Sequence, residues 1–241
     1  TSLEFTAMPG TSSELWGDVN ESTNNLTINT APTHSTPILN ATDNPSNTTN
    51  ANLTAFNVST FDFDNDNIQD LAVTSHGTDS VNVLIGNGNG TFQDYDRYLV
   101  GDGPFSVEAA DLNGDGRADL VTVNEYASSV SILLNNGGTT FDSKTDVSVG
   151  TTPKFSRLVD VNGDNDIDIL TVDNGGTSTV TYLENDGSGD FGISKTYDAY
   201  GSAFGFDAGD LNGDNIIDFA VGGFSSTVLQ VVELYNGPVV T

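Results

Sequence analysis

The sequence predicts an all-β protein, namely a β-propeller-like array of about four four-stranded blades that follows a Thr/Asn-rich N-terminal arm. Three observations support this prediction. A unit of 49 or 50 residues occurs four times, the apolar segments are short and bounded by Gly and Asn, and no stretch has a sustained helical period. A unit of about 50 residues with about four strands is the size of a propeller blade.

The four units align on nine-residue Asp-rich loops, which begin at Asp62, Asp111, Asp160 and Asp210. We expect one strand before each loop, a second directly after it, and a third that begins 18 to 20 residues after the first Asp. In three units a fourth strand follows a Gly/Asn turn, which ends at Phe92, Phe141 or Phe191. The last unit lacks that turn. The predicted repeats are therefore about 53–102, 103–152, 153–202 and 203–241, the last without an obvious outer strand.

Oxygen-bearing side chains occupy positions 1, 3, 5 and 9 of every loop, as in the second loop, DLNGDGRAD. Position 6 of that loop is Gly116, and the other loops have Asn there, which tolerates positive φ better than other non-glycine residues. This is the front half of the EF-hand calcium scheme, in which position 7 contributes its backbone carbonyl. The Glu at position 12 and the flanking helices of an EF-hand are missing, so the Asp at position 9 must complete the ligand set.

A single such loop is ordinary Asp/Asn/Gly turn chemistry, but four in register carry thirteen Asp residues at ligand positions. Without a cation, carboxylates this close together would repel one another strongly. We therefore predict about four bound Ca²⁺ ions. The predicted ligands are Asp62, Asp64, Asp66, Ile68 and Asp70; Asp111, Asn113, Asp115, Arg117 and Asp119; Asp160, Asn162, Asp164, Asp166 and Asp168; and Asp210, Asn212, Asp214, Ile216 and Asp218.

The pattern D-x-N-x-D-G-x-x-D followed by apolar residues resembles the FG-GAP/VCBS repeat of calcium-binding β-propellers, as in integrin α-subunit heads and many secreted microbial proteins. The resemblance covers roughly residues 53–241. It implies that each loop links the first two strands of a blade and that the metal stiffens the blade. Two departures stand out: the first loop has Asp64 where Asn is commoner, and only four repeats are present where propellers of this family usually have seven.

The net charge and the hydropathy of the chain argue against some classes of binding partner. The net charge is −28 with only six Lys and Arg residues, which argues against nucleic acid or an anionic membrane as partner. Of the 34 acidic residues 27 are Asp, the short carboxylate that suits tight metal-binding loops. No apolar run reaches the length of a membrane-spanning helix. The chain begins with Thr rather than Met, so we expect a processed protein that is extracellular or at the cell surface.

Residues 1–52 form the predicted arm, which differs in composition because residues 1–60 hold 13 Thr, 10 Asn and no Lys or Arg. It is either a sugar-coated arm or a disordered linker. The candidate glycosylation sites are Asn20, Asn25, Asn40, Asn47, Asn52, Asn57 and Asn89. Residues 3–8 or 26–30 are strand-like, so either could complete the fourth blade of its own chain or that of a neighbour, and repeated exchange would give a filament.

Three functions remain open from the sequence. The first is a structural or adhesive module, such as a fibre subunit joined by strand exchange and associated with itself or with an extracellular protein or glycan. The second is a carbohydrate-binding propeller, for which Tyr126, Tyr182 and Tyr235 are candidate platforms at positions that do not repeat. The third is a domain of a larger receptor. An enzyme is not expected, because both His34 and His76 are placed like turn residues and no catalytic set is evident.

Overall fold

The computed structural model describes residues 15–20, 25–30, 55–93, 95–137, 139–199, 202–214, 216–223 and 229–232, with only the backbone described in the first two segments. It contains seventeen strands within these ranges. The first nine are β1 Leu15–Asn20, β2 Asn25–Thr30, β3 Ala55–Phe61, β4 Asp70–Ser75, β5 Ser80–Leu84, β6 Asp96–Leu99, β7 Pro104–Ala110, β8 Asp119–Asn124 and β9 Ser129–Leu133. The others are β10 Thr145–Ser148, β11 Pro153–Val159, β12 Asp168–Asp173, β13 Thr179–Asn185, β14 Phe191–Asp198, β15 Ala203–Gly209, β16 Asp218–Gly223 and β17 Leu229–Val232.

The strands from β3 onward form four antiparallel sheets in chain order. Blade 1 is β3–β4–β5–β6, blade 2 is β7–β8–β9–β10, blade 3 is β11–β12–β13–β14, and blade 4 is β15–β16–β17. The prediction of an all-β, propeller-like array is therefore confirmed. Blade 4 has three strands within the described residues, whereas the others have four.

The first strands of successive blades lie side by side, since β7 contacts both β3 and β11, and β15 contacts β11. The apolar core fills the spaces between blades, in three clusters. Successive residues of a strand point to opposite faces of its sheet, so Leu120 packs toward blade 1 and Val121 toward blade 3. This two-sided burial explains why the second strands read as nearly continuous apolar runs.

Near the N-terminus, β1 and β2 pair with each other in a two-stranded antiparallel sheet, in which Leu15 lies opposite Thr30. The strand expected at residues 26–30 therefore exists and is paired with Leu15–Asn20. Residues 3–8 lie outside the described residues. In the described part of the chain the helical structure is one 3-10 turn at His76–Thr78, and no helix is long and apolar enough to cross a membrane.

A buried polar group recurs at the end of the second strand in blades 2 and 3. In blade 3 the carboxylate of Asp173 accepts hydrogen bonds from the hydroxyls of Thr171, Thr179 and Thr181 at 2.6–3.1 Å. In blade 2 Asn124 occupies the same place: its side-chain oxygen accepts the hydroxyl of Thr122, and its side-chain N–H groups donate to the hydroxyls of Ser129 and Ser131. Burial raises the pKa of the Asp173 carboxyl, although the hydroxyl hydrogen bonds oppose the rise.

The comparison with blade 2 predicts that Asp173→Asn is stabilising at neutral pH. A carboxyl whose pKa is higher in the folded than in the unfolded chain destabilises the fold once it ionises, and has no such effect below the unfolded pKa of about 3.9. We expect the variant to melt a few degrees higher at pH 7 and to lose that advantage by about pH 3. The measurement is the difference in melting temperature between variant and wild type from pH 3 to 8.

The reciprocal change, Asn124→Asp, provides the matched control and should introduce the opposite pH dependence in blade 2. A melting difference that is the same at every pH would contradict the electrostatic explanation.

Candidate metal sites

The four predicted loops lie at corresponding places in the array, because each one connects the first strand of a blade to the second. The first loop, for example, leaves β3 after Phe61 and enters β4 at Asp70. The ends of neighbouring first strands lie at one edge of the array, so the loops lie along that edge as well.

Each loop is curled by the same succession of side-chain to backbone hydrogen bonds. The side-chain oxygen at position 3 accepts the N–H of position 5, and the carboxylate at position 5 accepts the N–H of position 7. The carboxylate at position 1 also accepts the N–H of position 5 at 3.0–3.2 Å. These bonds bring the side-chain oxygens of positions 1 and 3 together at the N–H of position 5.

Positive φ angles at two positions permit this curl. Position 6 has φ of 67° at Asn67, 83° at Gly116 and 76° at Asn165, which confirms the expectation for these three loops. Asn215, at position 6 of the fourth loop, lies outside the described residues. Position 4 also has positive φ, from 61° at Asn65 to 84° at Gly213. The Gly at position 4 in three of the loops was a sequence signal for this second left-handed residue.

The Asp at position 9 has a structural role that the spacing alone does not reveal. Asp119 is fully buried, and its two oxygens accept the N–H of Leu112 within the loop at 2.9 Å and the N–H of Asn135 after the third strand at 2.7 Å. Asp70 and Asp168 make the same pair of bonds in blades 1 and 3. In blade 4 the buried Asp218 accepts the N–H of Leu211. This residue ties the loop to its own blade.

A second tie connects each of the first two loops to the following blade, and sequence reasoning missed it. The side-chain amide of Asn135 donates to the carbonyl of Phe63 in the first loop at 2.9 Å and to that of Ala118 in the second loop at 3.1 Å. Asn185 makes the equivalent bonds, to Leu112 and Ile167. We call these contacts the amide bridges. The recurrence of Asn before the Gly-containing turn, in NNGG and NDGS, was the available signal.

The donor chemistry of the first loop fits a hard cation. Asp62, Asp64 and Asp70 each bring one carboxylate oxygen within 4.8 Å of the others. The pKa of the Asp64 carboxyl is raised, first by burial and then by the neighbouring carboxylates. The other loops have Asn at position 3, and its amide donates to the Asp at position 5 at 2.8–3.2 Å. The second and fourth loops therefore contain three carboxylates against four in the first loop, whereas the third loop has a fourth carboxylate in Asp166 at position 7.

A basic side chain and the burial of the position-9 carboxyls change the electrostatics of individual loops. The guanidinium of Arg117 pairs with the carboxylate of Asp115 at 2.7 Å and donates to the carbonyl of Asn135 at 3.0 Å. One positive charge therefore already lies beside position 5 in the second loop. Burial raises the pKa of the position-9 carboxyls of Asp119 and Asp168, although their backbone hydrogen bonds oppose the rise. A bound cation would favour the ionised forms of these groups.

The other residues singled out by the sequence differ in their surroundings. Tyr182 is buried and donates to Asp168 at 3.1 Å, so it is no exposed platform, whereas Tyr126 is exposed. The ring of His76 contacts that of Phe56 in a tilted arrangement at a centroid distance of 4.7 Å, and that of Tyr126 edge-on at 4.9 Å. His34, Tyr235 and the candidate glycosylation sites Asn40, Asn47 and Asn52 lie outside the described residues.

The two candidate glycosylation sites whose side chains are described differ in their surroundings. Asn89 is exposed in a turn, where its side-chain oxygen accepts bonds from the backbone and hydroxyl of Thr91. The side-chain oxygen of Asn57 accepts the N–H of Val107 at 3.1 Å, so this amide lies between blades 1 and 2. Asn20 and Asn25 face each other in the β1–β2 pair. Glycosylation at all seven sites stays a prediction.

A comparison with protein-family models matches the FG-GAP-like repeat three times, over residues 62–122, 111–159 and 160–221. These matches begin at the first loop, extend into β16 and cover more than half of the chain. The chain belongs to the FG-GAP-like repeat family. The predicted resemblance is thereby confirmed for the repeat, and each match begins at the first Asp of one of the described loops. Among curated proteins, none matches this FG-GAP-like repeat protein significantly.

Several solved structures are similar to this FG-GAP-like repeat protein at low identity. The V. cholerae biofilm matrix protein Bap1 is 23% identical over 68% of the chain, with a TM-score of 0.44. An Agrocybe aegerita lectin, described for its recognition of non-reducing terminal N-acetylglucosamine, is 23% identical over 67%, with a TM-score of 0.47. BBS1N in complex with ARL6DN is 14% identical over 69%, with a TM-score of 0.48. The matches cover 23%, 45% and 50% of those chains, respectively.

Proposed function

We propose that this protein is an extracellular or cell-surface structural module whose blades are stabilised by calcium and which takes part in an adhesive or fibrous assembly. The observation that carries the proposal is the loop architecture, which recurs in all four blades. In each loop, the side-chain oxygens of positions 1 and 3 both accept the N–H of position 5, and a buried Asp at position 9 accepts a backbone N–H from the start of the loop.

Calcium would be held by the oxygens of positions 1, 3, 5 and 9 and by the carbonyl of position 7, and it would neutralise the carboxylates gathered there. The role of the metal is structural, because the position-9 Asp is also bonded to the backbone of its blade. Fixing a loop therefore fixes the junction between the first and second strands. The amide bridges extend this effect to the neighbouring blade.

A non-enzymatic role agrees with how the remaining acidic groups are used. Arg157 lies between Glu108 and Asp207, at 3.0 Å from each, and joins the first strands of blades 2, 3 and 4. Glu125 pairs with Lys154 at 2.5 Å. These carboxylates thus have basic partners within the array, which is the arrangement of structural ion pairs. The strongly acidic surface supports extracellular protein, glycan or a second copy as the partner, in preference to nucleic acid.

Electron microscopy of the native protein, with calcium and then with a chelator, tests the assembly role. We expect regular filaments or oligomers in calcium that are lost when the blades lose their metal. Dispersed particles in calcium would contradict the assembly role. If such particles bound immobilised glycans, they would favour the carbohydrate-binding function, and the exposed rings of Phe56 and Tyr126 beside His76 would be its candidate site.

A further inference from the structure

Each blade has two faces that can be distinguished by their neighbours. We call the face toward the preceding blade the front face and the face toward the following blade the back face. In blade 2 the front face carries Val107 and Leu120, which are buried against blade 1. Its back face carries Val121 and Val130, which are buried against blade 3. The same positions in the end blades show what the array leaves uncovered.

The front face of blade 1 is apolar and exposed. Val58 is 55% exposed, whereas the residues at the same position of blades 2, 3 and 4 are 2%, 0% and 7% exposed: Val107, Ser156 and Phe206. Leu71 and Leu84 pair across β4 and β5 on this face and are partly exposed, while Leu120 and Leu133 are fully buried in blade 2. Leu99, at the outer edge of the same face, is 63% exposed.

The back face of blade 4 is exposed in the same way. Leu229 lies opposite Gly222 and is 66% exposed, and Val231 lies opposite Ala220 and is 48% exposed. Residues at the first of these positions, Val81, Val130 and Val180, are fully buried in blades 1, 2 and 3. Those at the second, Val83, Ile132 and Tyr182, are at most 7% exposed. The two ends of the array therefore carry the two halves of the interface that holds the blades together.

We propose that a second copy of this chain covers these faces, with the back face of its blade 4 packed on the front face of blade 1. The array itself contains three interfaces between a back face and a front face, so the occupant that fits each end is another blade of the same repeat. Among the described strands, β15 of blade 4 contacts β11 and makes no comparable contact with β3, so the two ends do not cover each other within one chain.

A joint of this kind is heterologous, because two different surfaces meet, and it generates either a ring or an open filament. We expect this joint to be weaker than the interfaces within the chain.

The reason is a missing hydrogen-bonding residue. Blade 1 has Gly86 at the end of its third strand, where blades 2 and 3 have the Asn of the amide bridge. The joint between copies therefore lacks that bridge and depends on apolar burial. The proposal deepens the assembly role given above and rests on it, and it places the joint at blade faces instead of exchanged strands.

The test uses one substitution at each end of the full chain, Val58→Asp on the front face and Leu229→Asp on the back face. Ile193→Asp is the matched control, since Ile193 is 58% exposed on β14, outside both faces. Sedimentation velocity in calcium should show concentration-dependent association for the wild type and for the control. A charge placed in an apolar joint should weaken the association of either face variant about tenfold or more. Circular dichroism melts check that all variants fold.

Mixing the two face variants gives the sharpest result. Each variant keeps one intact face, so a 1:1 mixture should form a dimer and no larger species. Failure of the mixture to dimerise would overturn stacking between faces. Equal association of the wild type and of all three variants would also overturn it, but would leave an assembly joined elsewhere. A wild type that stays monomeric at every concentration would overturn both the stacking and the assembly role.

Discussion

Chelation of calcium is expected to lower the melting temperature of this protein by well over 10 °C. A ligand at a hundredfold excess over its dissociation constant stabilises the folded state by about 2.7 kcal/mol per site, so four sites supply on the order of 10 kcal/mol. For a domain of this size each kcal/mol corresponds to roughly 2–4 °C. The clustered carboxylates of the first loop add repulsion once the ion is removed. Calorimetry in calcium and in a chelator at equal ionic strength measures the difference.

Substitutions distinguish the loss of a metal ligand from the loss of an ordinary surface carboxylate. Asp111→Ala removes a predicted ligand and should abolish the contribution of the second loop, whereas Asp102→Ala removes an exposed carboxylate outside the loops and should melt like the wild type. Magnesium added in place of calcium should restore less stability, because it demands a smaller and more regular octahedral set of ligands. A melting temperature that is the same with and without chelator would contradict the prediction of structural calcium sites.

Asp119→Ala is expected to destabilise the fold strongly even when calcium is absent. The substitution leaves the N–H groups of Leu112 and Asn135 without their acceptor inside the protein. An unsatisfied buried donor costs about 1–3 kcal/mol, so we expect a loss of roughly 2–5 kcal/mol in the free energy of unfolding. Urea unfolding in the presence of a chelator measures this loss without any contribution from the metal.

The matched comparison is again Asp111→Ala, whose carboxylate is half-buried and accepts hydrogen bonds from its own loop. Its effect should be large in calcium and small in chelator, while that of Asp119→Ala should persist in both. Asp119→Asn should lie between them, because the amide retains one acceptor oxygen. If Asp119→Ala lost stability only in calcium, the position-9 Asp would be a ligand without the structural role described here.

The period of the repeat and the order of strands could be predicted because both depend on residues that are close together in the sequence. Each loop is followed by a β-branched segment, and each hairpin turn is marked by Gly and Asn. The loop positions also follow from local spacing, because alternate oxygens in a tight turn lie on one side. The family resemblance adds the expected place of the loop between the first and second strands, which is where the structure has it.

What could not be predicted depends on contacts between distant residues. Asp119 was expected to be a ligand, but its bond to Asn135 joins groups sixteen residues apart. The bond from Asn135 to Phe63 spans seventy-two residues. Neither appears in a local pattern. Tyr182 was a candidate aromatic platform, yet blade 4 covers it and Asp168 accepts its hydroxyl. Leu15–Asn20 was not expected to be a strand, and its pairing with β2 likewise depends on contacts that no local pattern shows.

The amide bridges imply that the first three loops do not respond to their ions independently. Asn135 holds position 2 of one loop and position 8 of the next, so any ordering of the first loop reduces the conformational freedom that the second must lose on binding. Adjacent loops are thereby coupled as nearest neighbours, in the manner of a one-dimensional array. Ion occupancy should therefore be cooperative between bridged loops, and the second loop, which is bridged on both sides, should be the last of these three to lose its ion.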